Sequence, residues 1–406
     1  WDWDRVVKSS HLTNCWYQRA CNFNLYVKDG VVLREEQVGN YPPPNDPEAP
    51  DPNPRGCQKG ACYAHRMYDP TRIKYPLKRI GERGGRRWQR VSWDQALSEI
   101  SEGVLDILGT DGPEAIVQAG GTRVYSQASE GLGPNAFFDA LGSPSPTPNV
   151  EIGDDHQGAA ITVGKIMFAD SADNWLYSDL ILVWGGNPAY TNIPNFHYIA
   201  AARYRGARVI AISPDYNASA VHADLWIPVN VGSDAALALA MAHTILSEGL
   251  YKKRFVQEQT DLPLLVRTDN GLFLREKDLK AGGREDVFYL YDEASGKVTE
   301  APRKSLELSG LTPALEGAYP VQTLSGSVSV RPVFALLREH LNEKFAAQQA
   351  SLLTGVSAQM IERLAREFAG VAGVVNMPTS NWGRFYHGDL IERAIILLFA
   401  LCGHMG

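Results

Sequence analysis

The chain has 406 residues, a formal net charge of −7, 44% hydrophobic and 21% charged side chains, a globular make-up with room for two or three domains. An acidic balance without a basic face excludes nucleic acid as the expected partner. No apolar run reaches the length of a membrane-spanning helix, and residues 394–402 fall far short of one.

The amino-terminal region is loop-rich and crowded with soft ligands. Of five cysteines, Cys15, Cys21, Cys57 and Cys62 all fall within the first 62 residues, beside His11. Histidine and cysteine in such density suit an iron–sulfur cluster or zinc. Disulfides fit less well, because the count is odd and a large enzyme seldom needs such staples. Cys402, alone in an apolar stretch, reads as a small buried hydrophobe. Residues 24–28 alternate and run into Asp29-Gly30, a hairpin signal. The proline-rich run 41–54 is an extended surface loop that returns the chain to Cys57.

Ser92-Trp93-Asp94-Gln95 opens a helix, with Ser92 as N-cap and Gln95 completing a capping box. The pattern then alternates between short apolar strands, at 115–119, 180–184, 208–212, 226–229 and 373–376, and helical segments such as 195–205, 235–248, 355–368 and 389–401. Residues 265–330 differ, being polar and hairpin-like, with Phe288-Tyr289-Leu290-Tyr291 before an Asp-Glu-Ala-Ser-Gly turn. Short apolar strands with crossover helices predict an α/β fold with a doubly wound, Rossmann-like parallel sheet covered on both faces. In such sheets ligands lie at the carboxyl ends of strands, where glycines let phosphates approach backbone N–H groups. Gly185-Gly186-Asn187-Pro188, Ser213-Pro214-Asp215 and Gly232-Ser233-Asp234 are three such strand ends.

The order His-x3-Cys, Cys, Arg-Gly-Cys-x-Lys-Gly, Trp-Gly-Gly-Asn, Ser-Pro-Asp, Gly-Ser-Asp and Tyr-His-Gly…Arg-Ala resembles the large (alpha) subunit of molybdopterin oxidoreductases. These form the dimethyl-sulfoxide-reductase superfamily. The likeness is greatest to the branch of respiratory nitrate, selenate, chlorate and perchlorate reductases and of ethylbenzene and dimethyl sulfide dehydrogenases. It covers nearly all the chain except 265–330. It implies an iron–sulfur cluster domain over 1–90 and a molybdenum-ligand and active-site region over 91–175. A dinucleotide-binding-like α/β domain follows over 176–262, an insertion or spacer over 263–330, and a return to the active-site domain over 331–406, incomplete at its end.

Carried over residue by residue, the resemblance makes His11, Cys15, Cys21 and Cys57 ligands of a [4Fe–4S] cluster, with Cys62 spare. Lys59 becomes a basic relay between cluster and pterin. Asp154 becomes the molybdenum ligand, with Asp155 one step away. Trp184, Gly185, Asn187, Pro188, Ser213, Pro214, Asp215, Gly232, Ser233 and Asp234 become contacts of bis-molybdopterin guanine dinucleotide. Trp382, Gly383 and His387 fall in the segment that reaches the second pterin and the substrate funnel. An iron–sulfur beta subunit is the implied electron-transfer partner, and a haem-bearing gamma subunit is a further candidate.

Arg123 and Arg384, if both face the metal, make a cationic pocket suited to nitrate, chlorate or selenate. Oxygen-atom transfer to or from such a small molecule is the expected chemistry. The competing readings are a hydrocarbon-hydroxylating or sulfide-oxidising dehydrogenase, with an apolar tunnel, and a non-catalytic iron–sulfur subunit. Most of the branch is exported after folding, so the periplasm is expected, although membrane-bound nitrate reductases can face the cytoplasm.

Overall fold

A computed structural model describes residues 2–10, 21–39, 43, 45–50, 57–118, 133–144, 156–165, 170–302, 307–378 and 382–405, without the side chains of Ser10, Lys59 and Pro378. The chain divides into two compact units, 1–154 with 187–201, and 155–186 with 202–406.

In the first unit, β1 (Arg5–Ser10), β2 (Asn22–Lys28) and β3 (Val31–Gln37) form an antiparallel sheet in that order. Asp29-Gly30 joins β2 to β3 with φ of +48° and +78°. Both turn residues are left-handed, which matches the twist of the flanking strands and suits Asp-Gly. A short ribbon of β4 (Leu77–Arg79) and β5 (Trp88–Arg90) precedes α1 (Trp93–Thr110). Helix α1 starts where predicted: the Ser92 hydroxyl accepts from the Gln95 N–H at 3.1 Å. The Gln95 amide turns outward to Glu99 Oε1 at 2.9 Å rather than back to Ser92, so only half of the capping box forms. Helix α2 (Gly133–Leu141) follows.

The strand predicted over 115–119 does not form in its described part. Pro113–Ala115 makes one 3₁₀ turn, and residues 116–118 join no ladder. A strand exists only where a neighbour satisfies its backbone groups. None does so here among the described residues, and Val117 is left 51% exposed.

The second unit holds the parallel sheet. Helix α3 (Gln157–Val163) leads to β6 (Leu180–Trp184), β7 (Arg208–Ile212) and β8 (Leu225–Ile227), followed by α4 (Asp234–Ser247). A smaller antiparallel part comes next. It comprises β9 (Leu265–Arg267), the hairpin of β10 (Tyr289–Asp292) and β11 (Lys297–Glu300), β12 (Tyr319–Thr323) and β13 (Gly326–Pro332), with β13 between β12 and β9. The predicted spacer thus has its own small core around Leu265, Leu274 and Val330. The buried Arg267 guanidinium staples it to Asp269 at 2.8 Å and Asp278 at 2.7 Å.

Three helices then return to the main core, α5 (Val333–Lys344), α6 (Ala347–Thr354) and α7 (Ala358–Gly370). The helix predicted from Gly355 begins later. Gly355, at φ +74°, closes α6, and Ser357 caps α7 by accepting from the Met360 N–H at 3.3 Å. Strand β14 (Val374–Pro378) and α8 (Gly388–Cys402), which Gly403 ends at φ +67°, complete the unit.

The sheet order is β14-β6-β7-β8, all parallel. Every residue of β6 is buried. Leu180, Leu182 and Trp184 share a core with Leu237, Met241, Leu364 and Leu398 of α4, α7 and α8. Ile181 and Val183, which point the other way, are buried as well. Burial on both faces is why these strands read as unbroken apolar runs.

Candidate functional site at the carboxyl edge of the sheet

From β6 the chain moves outward to β7 and β8, then returns on the other side of β6 as β14. The connections leaving β6 and β14 therefore diverge. That topological switch is where open α/β sheets hold their ligands.

The loops at this edge are built from the predicted residues. Beyond β6, Gly185 is exposed at φ +70°, a conformation that disfavours any residue with a Cβ. Beyond β7, the buried Ser213 donates to the Asp215 carbonyl at 2.8 Å, and its own carbonyl accepts from Trp226 Nε1 at 3.0 Å. This leaves Pro214 and Asp215 exposed at the rim. Beyond β8, Ser233 donates to the Asn230 carbonyl at 2.7 Å. Gly232, at φ +80°, lies so close to Phe385 that a Cβ would come within 3.8 Å of the ring. The Gly232 loop and the 382–388 turn are thus neighbours.

Asp234 starts α4 and is 7% exposed. Its Oδ1 accepts from the Trp184 indole N–H at 2.8 Å. Burial pushes the carboxyl group above its ordinary value, and the indole hydrogen bond opposes the shift. One predicted contact thereby fixes the ring of another across two strand ends.

Trp382 is buried in the core, Gly383 is half-buried, and His387 is exposed at φ +55° immediately before α8. Gly388 must be glycine, because a Cβ there would overlap the Trp382 carbonyl. Arg384, Phe385 and Tyr386 are exposed on this turn.

The remaining sequence candidates belong to the first unit or fall outside the described residues. Asn187 and Pro188 belong to the first unit, where the Asn187 carbonyl accepts from the Tyr190 and Thr191 N–H groups at 2.9 Å each. Cys21 is buried just before β2. Cys57 is half-buried at the start of a short helix, Gln58–Ala61, and Cys62 at its end is exposed. His11, Cys15, Arg123, Asp154 and Asp155 lie outside the described residues, as does the Lys59 side chain.

Two features had no counterpart in the sequence reading. Asn376 on β14 carries a buried Oδ1 with no hydrogen-bond partner among the described residues, two positions before the strand's last residue. On α8, the buried Glu392 accepts from the Ala159 N–H at 3.1 Å and pairs with His156 Nδ1. An acid at helical spacing from the buried Ile395, Ile396 and Phe399 is a signal that sequence could have offered for Glu392. Asn376 offered none.

The model of the molybdopterin oxidoreductase family matches residues 72–405. The chain belongs to that family. It is 38% identical to the dimethylsulfide dehydrogenase subunit alpha of Rhodovulum sulfidophilum, over all of this chain and 44% of that one. Against the perchlorate reductase subunit alpha of Dechloromonas aromatica the figures are 37% and 46%. Against the respiratory nitrate reductase subunit alpha of Haloferax mediterranei they are 40% and 42%. This molybdopterin oxidoreductase chain therefore spans less than half the length of these relatives. The acetylene hydratase of Pelobacter acetylenicus shares its fold, with a TM-score of 0.64 over 98% of this chain and 44% of that chain at 23% identity. The resemblance read from motif order and the mixed α/β class with a parallel sheet both stand. No helix among the described residues is long and apolar enough to cross a membrane.

Proposed function

We propose that the chain forms part of the catalytic alpha subunit of a molybdenum enzyme that carries bis-molybdopterin guanine dinucleotide and one [4Fe–4S] cluster and reduces an oxyanion. The observation that carries this reading is the switch-point edge of the parallel sheet, in a chain that matches its family over residues 72–405. The edge suits a phosphate-bearing dinucleotide: exposed Gly185 and Gly232 have left-handed backbones without side chains, so phosphates can approach the main chain.

Trp184, Gly185 and Ser213-Pro214-Asp215 would line the phosphates, and the Gly232–Asp234 loop would meet the guanine or ribose. Asn187 and Pro188 would add to the phosphate contacts. Asp154, a hard oxygen donor, would hold the molybdenum. When bound, that centre supplies two-electron oxygen-atom-transfer chemistry. His11, Cys15, Cys21 and Cys57 would hold the cluster, and the Lys59 cation would favour its reduced form. Arg123 and Arg384 would draw in an oxyanion and orient it by charge-assisted hydrogen bonds, with His387 at the funnel. An iron–sulfur beta subunit, with a haem-bearing gamma subunit as a further candidate, would carry the electrons, and the complex would work in the periplasm.

A second reading has its own support. Identity to the dimethylsulfide dehydrogenase is 38% and to the perchlorate reductase 37%, so likeness does not choose between them. Phe385 and Tyr386 could line a path for an apolar or sulfide substrate.

The test is made on the full-length protein purified with its partners. Molybdenum and about four iron atoms per chain are expected, as is oxidation of a reduced dye with nitrate, chlorate or selenate. Turnover only in the opposite direction, with dimethyl sulfide or ethylbenzene, would replace the first reading by the second. Absence of molybdenum and pterin would leave an electron-transfer subunit.

A further inference from the structure

Glu392 is the one charged group among the buried residues of α8. It is 6% exposed, and a buried acid is tolerated only where its oxygens find partners. Both partners lie at the start of α3: the Ala159 N–H donates to Oε2 at 3.1 Å, and His156 Nδ1 meets Oε1. The approach requires Gly158, where a Cβ would stand 2.6 Å from Glu392 Cβ and would overlap the Asp389 carbonyl. Helix α8 therefore clamps the start of α3 at three points, His156, Gly158 and Ala159.

The chain entering that turn reads Gly153-Asp154-Asp155-His156. Glu392 thus grips the residue two places after Asp154, from a helix that itself begins directly after the 382–388 turn.

We propose that Glu392 is a positioning residue for the metal-binding aspartate, setting where the chain that leaves Asp154 enters α3. This rests on Asp154, or its neighbour Asp155, being the molybdenum ligand. Groups that orient a metal ligand through a hydrogen bond typically change metal affinity or turnover by about 10–100-fold when removed. Glu392 acts one step further out, through contacts to the turn that follows Asp154 in sequence, and that range is the upper bound for its effect. In Glu392→Gln, the amide oxygen can still accept from Ala159 and the NH₂ can donate to His156 Nδ1.

The full-length holoenzyme with its electron-transfer partners is compared as wild type, Glu392→Ala, Glu392→Gln, Gly158→Ala, Asp154→Ala and Asp155→Ala. The readouts are molybdenum content, the molybdenum EPR signal, and kcat and KM separately. Glu392→Ala is expected to retain molybdenum, to alter the EPR signal and to lower kcat, by at most about 10–100-fold, with less change in KM. Glu392→Gln is expected to restore the wild-type signal. Gly158→Ala leaves Glu392 intact but pushes α3 away, and it is expected to alter the signal too. Should Glu392→Ala not fold, Glu392→Asp takes its place, drawing the carboxyl group back by one methylene, and must shift the signal. If Glu392→Ala (or Glu392→Asp in its place) and Gly158→Ala lose only stability, with EPR signal and kcat unchanged, the positioning role is overturned. If Asp154→Ala and Asp155→Ala also leave the signal unchanged, the ligand reading falls as well. If either of them changes it while Glu392→Ala and Gly158→Ala do not, only the positioning role falls.

Discussion

Helices α1 and α4 show two ways in which one sequence makes a helix. Helix α1 has 18 residues and buries none of them. Its apolar stripe, Trp93, Leu97, Ile100, Val104 and Ile107, follows helical spacing, yet Leu97 is 56% and Ile100 63% exposed. Local chemistry makes it: the Ser92 cap, Asp94 in the first turn and the Gln95–Glu99 contact. Helix α4 has 14 residues, and Leu237, Met241 and Ile245 are at most 1% exposed. Its alanines and leucines are good helix formers, but packing against α7, α8 and the sheet holds it. The spacing of apolar residues reveals that a helix forms. How much it buries depends on partners far away in sequence.

The largest effect should come from α4. Leu237→Ala removes a fully buried side chain and is expected to cost about 2–5 kcal/mol, the loss of transfer energy plus a cavity. Denaturant unfolding read through hydrogen exchange of the 234–247 peptide measures it. A loss below about 1 kcal/mol would mean that the site collapses around the gap, and would erase the contrast with α1.

The amino terminus of the same helix carries the next effect. Asp234→Ala leaves the buried Trp184 N–H without its acceptor, at a cost of about 1–3 kcal/mol. Asp234→Asn keeps an acceptor and removes a group whose folded-state value is raised by burial. Such a carboxyl group stays protonated in the fold at pH values where the unfolded chain has already ionised. Its contribution is therefore fully present below the ordinary value of 3.8, and is lost as pH rises through the raised value. Wild type should lose stability across that window and Asp234→Asn should lose less. Equal slopes in a pH series of unfolding midpoints would show that Asp234 titrates alike in both states.

These two positions also mark how far sequence could reach. The parallel strands were legible because burial on both faces gives continuous apolar runs ending in Gly or Pro. The Asp29-Gly30 turn and the Ser92 cap were legible because their chemistry is local. The strand at 115–119 misled, because an apolar run predicts a ladder only if a partner is present, and 116–118 join none. Trp184 and Asp234 were each singled out, but their hydrogen bond joins residues 50 apart. The His156–Glu392 pair spans 236 residues. No window along the chain contains either pair. For the proposed metal ligands, His11, Cys15 and Asp154 were visible as motif members alone.

Local chemistry can be tested at α1. Ser92→Ala removes the acceptor that holds the Gln95 N–H, with an expected cost of about 1 kcal/mol. Because the cap acts on the first turn, the loss should appear as faster hydrogen exchange over residues 93–97 and fade towards Thr110. Loss of protection along the whole helix would mean that α1 depends on its cap far more than a single hydrogen bond allows.

The smallest effect, and the sharpest test of the comparison, is Leu97→Ala. With 56% of Leu97 exposed, little apolar surface returns to water, and alanine is at least as good a helix former as leucine. The change should stay within about 0.5 kcal/mol, several-fold below Leu237→Ala although the chemical deletion is the same. Ile100→Ala, on the same stripe one turn along, should behave alike. If either one costs what Leu237→Ala costs, the stripe is covered in the working protein, and α1 is a core helix like α4 rather than one held by local signals. Measuring Leu97→Ala in this chain and in the full-length protein with its partners locates such a cover: a penalty confined to the longer protein assigns it to polypeptide beyond these residues.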